Sequence, residues 1–151
     1  MINEKWSRWI TASVFDYINT SLTTTLPGNT EIFLEGQIDP NSKRQHWFEL
    51  RLDGPLYQPM SNGEWEATVE INILVSAHLN EESIYVIRDL SGAAAKALSG
   101  CIDLKQMGDG EAIFGCLKLG QVFQNHFGQI GKDVTLQQAT VETRGTVDDL
   151  K

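Results

Sequence analysis

The three histidines, His46, His78 and His126, stand far apart, and none falls in the HxxxH, HxE or HExxH spacing that brings two ligands onto one metal. His78 with Glu81 and Glu82 supplies ligand atoms near an expected helix start, where acids more commonly complement the helix dipole. Glu64, Glu66 and Glu70 share one face of an expected strand. Glu64 and Glu66 lie about 7 Å apart along it, so spacing alone admits a carboxylate-pair hydrolase. A solvated acidic face explains them more simply. Gly108-Asp109-Gly110 lacks the third glycine and the preceding strand of a dinucleotide site, and neither GxxxxGK[ST] nor GxSxG occurs. Ser76 lies close to His78 in sequence, which is no evidence of a triad, because triad members meet in space. Cys101 and Cys116 are too few for a disulfide scaffold and carry no CxxC spacing, so two small buried thiols in a reducing compartment are expected. These residues nominate no catalytic group, no metal ligand and no cofactor. A non-enzyme is expected.

Composition narrows the class further. The chain has 151 residues, 41% hydrophobic and 21% charged, enough for one domain with a real core. Its net charge of −8 and pI of about 4.8 repel phosphate, which argues against autonomous DNA or RNA binding. Lys43-Arg44 is the one adjacent basic pair, and on a loop such a pair is more often solvated than functional. Residues 1–6 lack the basic-then-apolar build of a secretion signal, and the purest apolar run, Ile71 to Val75, is broken by Asn72. A cytoplasmic protein or a part of a soluble assembly, with no membrane partner, is expected.

The elements that must position these groups follow from periodicity. Trp6, Trp9, Ile10, Val14, Tyr17 and Ile18 recur at helical spacing, and the two tryptophans are expected to fix that helix to a sheet. A Thr-rich stretch from Thr20 to Asn29 then punctuates the chain. Residues 30–37 read as a strand ending at the turn Asp39-Pro40-Asn41-Ser42. His46 to Asp53 alternates, with Phe48, Leu50 and Leu52 on one face, until Asp53-Gly54-Pro55 stops it. The strongest signal is Trp65–Ser76. Its odd positions are all apolar and its even positions polar but for Leu74, a period of two that no helix satisfies. One face must be buried and one wet, which marks an antiparallel sheet. Such a strand would extend roughly 40 Å, so it is bent or projects beyond the domain. Asn80 caps a second helix over 81–99, with Gly100 past its end. Strands follow at 112–119 and 133–143, with a looser region between, and residues 144–151 read as a flexible polar tail. The expected fold is a single α+β domain, order α-β-β-β-α-β-β, with an antiparallel or mixed sheet of about five strands and two flanking helices.

That order, with the Trp-x-Ala-x-Val-x-Ile-x-Ile-x-Val strand from Trp65 to Val75, the capped acidic start Asn80-Glu81-Glu82 before Ile84-Tyr85-Val86-Ile87, and late strands ending near Val141 to Gly145, resembles phage tail terminators. The resemblance covers the element order over most of the chain and has no signature residue. It implies a structural virion protein of the tail or neck, assembled in the host cytoplasm, that forms a homo-oligomeric ring, commonly a hexamer. Such a ring caps the head-proximal end of the tail tube, stops polymerisation, and joins tail to neck. The implied partners are further copies of the chain, the tail tube protein and a neck or head-completion protein, with duplex DNA passing through without specific binding. Sheet edges, an end of Trp65–Ser76 and the loop 38–45 are then the expected contacts, which nominates Lys43, Arg44, Trp47, Glu64, Glu66 and Glu70 as interface residues. The alternatives are another head-completion or neck connector protein or, in a different class, a small-ligand-binding domain or an enzyme using the acidic face.

Overall fold

The computed structural model describes residues 1–26, 31–37, 46–78, 84–130 and 133–151. Helix α1 spans Trp6–Thr25, strands β1, β2 and β3 span Glu31–Leu34, His46–Pro59 and Trp65–His78, and helix α2 spans Ile84–Ala97. Strands β4, β5, β6 and β7 follow at Cys101–Lys105, Ile113–Leu119, Phe123–Ile130 and Asp133–Leu150. The fold is α+β, and the described residues form one mixed sheet of seven strands in the order β1-β2-β3-β7-β5-β4, with β6 pairing with β7 beside β5. All pairings are antiparallel except β1 with β2, which is parallel.

β3 is the centre of the sheet. The apolar positions Ala67, Val69, Ile71, Ile73, Val75 and Ala77 are all buried, and the strand is paired with β2 on one side and β7 on the other along its length. Its length is therefore absorbed by two neighbours at least as long, and neither end projects unpaired. β2 does not stop at Asp53-Gly54-Pro55 as expected from the turn residues. It passes through them as a bulge and resumes pairing at Leu56, because the register shift returns Tyr57 to the inner face opposite Ala67.

Both helices pack on the inner face of the sheet. Trp6 meets Tyr57 of β2 at 5.9 Å between ring centroids, and Trp9 meets Phe114 of β5 at 5.5 Å, so the two tryptophans tie the helix to the sheet as expected. α1 runs on to Thr25, beyond the expected break at Thr20, because Leu22 is fully buried; the hydroxyls of Thr23, Thr24 and Thr25 are satisfied by donating to carbonyls one turn back. α2 contributes Ile87, Leu90, Ala94 and Ala97 to the same core. Its expected cap at Asn80 lies outside the described residues.

The C-terminal half departs most from expectation. Residues 145–150 continue β7 and are no flexible tail: Val147 and Leu150 are buried opposite Ala67 and Trp65. Polar spacing hides this, because Asp149 takes a positive φ of 61° in a register shift that adds one residue between them. β4, not anticipated, is a short alternating strand with Ile102 and Leu104 inward. The looser region after β5 is β6. The cysteines are not two small buried thiols either. They are diagonal neighbours on β4 and β5, 6.2 Å apart at Cα and paired as a disulfide, with Cys101 exposed and Cys116 half-buried.

Candidate interaction surface on the open sheet face

Because both helices share one side, the other side of the sheet carries no helix among the described residues. Alternation turns Glu49, Asp53, Glu66, Glu70, Glu142 and Asp148 to that side, against the cations of Arg51, Lys118 and Arg144. The face is therefore acidic but not uniformly so. Glu70 pairs with Arg144 directly across the β3–β7 ladder. Glu49 is only 3% exposed, accepting from the Gly36 amide at 3.4 Å and from Arg51 Nε at 3.0 Å, and its bond to Arg51 raises the guanidinium pKa above its ordinary value.

The interface residues expected from sequence do not form one patch. Glu64 precedes β3, where its carboxylate accepts from Asn62 Nδ2 at 3.0 Å and faces Lys151 Nζ at 3.4 Å. Its pKa is held below the ordinary range, first by a hydrogen bond with Asp149 and then by Asn62 and Lys151. Glu66 is half-buried beside Gln58, and Glu70 is exposed and paired. Trp47 lies at the far end of the same face, opposite Ser76, with its ring 5.5 Å from that of His78. The ten residues from Glu66 to Ser76 separate the two ends by roughly 33 Å. Lys43 and Arg44 lie outside the described residues. No three carboxylates, thiols or imidazoles converge in a metal-binding arrangement among the described residues.

A second concave feature lies between α1 and the outer side of β4, about 400 Å³, with Ser13, Asp16, Tyr17, Asp103 and Lys105 among its lining residues. Ser13 Oγ accepts from the Lys105 amide at 2.9 Å and donates to the Lys105 carbonyl at 3.2 Å, so its hydroxyl is engaged in closing the strand edge. Sequence reasoning missed this contact and the bond from the Trp9 indole to Asp109, because each joins residues about a hundred positions apart.

No family model and no curated protein matches the chain. Its fold is similar to that of a chain in a solved structure described as the virion of a native gene transfer agent particle, with a TM-score of 0.63, 11% identity, and coverage of 97% of this chain and 99% of that one. At that identity the likeness establishes the fold. It extends over nearly the whole of both chains.

Proposed function

We propose that the chain is a structural virion protein of a phage-like particle, specifically a tail terminator. Copies close into a ring at the head-proximal end of the tail tube, stop its growth, and join it to the neck while DNA passes through the lumen. The observation that carries this reading is the end-to-end fold likeness to a chain of a gene transfer agent virion. The open sheet face supports it. A lumen wall must let phosphate pass, and a face on which carboxylates outnumber the cations Arg51, Lys118 and Arg144 repels it without a specific contact. Another neck or head-completion protein is the nearest alternative, since it would need the same face.

Native mass spectrometry and negative-stain imaging of the purified chain test the proposal. Discrete rings with a central hole, binding to the ends of tail tubes and preventing their elongation, are expected. A particle that stays monomeric and never engages tubes would sink it.

A further inference from the structure

We infer that the ring closes by strand addition: the outer edge of β6 in one copy pairs with the β1 end of the sheet in the next copy, giving one continuous sheet around the lumen. This rests on the ring reading above and names the contact that makes it.

The inference comes from how the sheet treats its edges. Unpaired strand edges template association, and folded proteins blunt those they do not use. The β4 edge is flanked by α1, and Ser13 takes both backbone groups of Lys105. The first half of β2 is covered by β1, and the Glu35 carboxylate then extends that cover by accepting the Leu52 amide at 2.7 Å. The second half of β2 is closed by proline. The Met60 amide donates to the Glu64 carbonyl, so by alternation residues 58 and 56 face β3, and Pro59 and Pro55 stand at positions whose amides would point outward.

β6 has none of these devices. Its sequence, FQNHFGQI, holds no charge and no proline, it pairs only with β7 among the described strands, and Phe123 at its start is 62% exposed. The Gly120 amide donates to the Arg144 carbonyl, which turns the backbone groups of Arg144, Glu142 and Thr140 towards β6. Their partners Phe123 and Asn125 turn back to β7, leaving the backbone of Gln124 directed outward.

A second copy is the occupant because β6 and β1 end the run β1-β2-β3-β7-β6 on opposite sides. Pairing unlike ends is a head-to-tail contact, the kind that can repeat from copy to copy and close into a ring. Pairing β6 with β6 would stop at a two-fold dimer. The head-to-tail arrangement also keeps the acidic face of every copy on the same side of the continuous sheet.

Gln124→Pro removes the outward amide and leaves the β6–β7 ladder its donors, and Gln124→Lys blunts the same edge with a charge. Both full-length variants should keep the wild-type circular dichroism and melting profile. Both should stay monomeric in mass photometry at concentrations at least tenfold above those at which the wild type forms rings. In the wild-type background, a photo-crosslinking p-benzoylphenylalanine replacing Gln124 should form adducts with residues 31–34 of a second copy. Rings that survive both variants would overturn the edge contact while leaving the ring reading intact. Adducts confined to β6 of the other copy would overturn the head-to-tail arrangement. A wild-type chain that forms no ring at all would remove both readings together.

Discussion

Asp109 gathers the Trp9 indole N–H at 2.8 Å, Lys5 Nζ at 3.4 Å and the Arg8 guanidinium, pinning the first turns of α1 to the β4–β5 turn. Trp9 first, then Lys5 and Arg8, hold its carboxyl below the ordinary value of 3.8. A depressed carboxylate contributes stability that is complete above the unfolded value and disappears as pH falls through the folded one. Asp109→Asn should therefore melt earlier than wild type at neutral pH, and the gap should narrow as the buffer drops below 3.8. Melts of both proteins at the two pH values check this, and an unchanged gap would mean that charge is not what anchors the helix. Gly145 is constrained differently. A Cβ there would come within 2.7 Å of Leu117 Cγ, and Leu117 is fully buried, so Gly145→Ala should cost about 1–3 kcal/mol in denaturant unfolding by overpacking. Neither residue announces itself in the sequence. Gly-Asp-Gly reads as a turn, and Gly145 reads as the start of a tail, because the partners that give them meaning are distant in the chain.

At the scale of elements, legibility followed periodicity. β3 and α1 carry uninterrupted patterns, with Trp6, Trp9, Ile10, Val14 and Ile18 on one stripe, and both were readable at their cores. The elements that run past their expected ends have patterns interrupted by bulges. β2 changes phase between Asp53 and Leu56, and β7 gains a residue at Asp149, so each looks finished where its alternation slips. If residues 145–150 are an integral strand, Leu150→Ala should destabilise the fold by about 2–5 kcal/mol, as for other buried leucines, whereas a flexible tail would give no measurable change in chemical denaturation. α2 offers the opposite case. Gly92 lies in its interior, and a Cβ added there would meet nothing within 4 Å, so Gly92→Ala should raise the unfolding free energy by about 0.5–1 kcal/mol on helix propensity alone. A loss in that variant would point to a helix surface needed thin for another contact.

For the molecule as a whole, the sequence's period-two strand already required a half-exposed sheet, but not that both helices would leave its other side open. That arrangement turns scattered acids into a field. Phosphate repulsion from the open face makes a specific claim about charge, since Glu49 and Glu70 are already engaged by arginines while Asp53, Glu66 and Glu142 share their face. Reversing those last three to lysine adds two charges at each site and brings the net charge of −8 to −2. The wild type should show no retention of duplex DNA in filter binding or electrophoretic shift assays at moderate salt. The triple variant should bind, with an affinity that falls with salt at a slope of up to about 0.9 per phosphate contacted. Reversing three exposed acids on the helical side must leave DNA binding weaker than this, because its magnitude depends on the face and not on the sum. If both sets bound equally, repulsion would be a property of overall charge, and the open face would lose its claim to line a DNA passage.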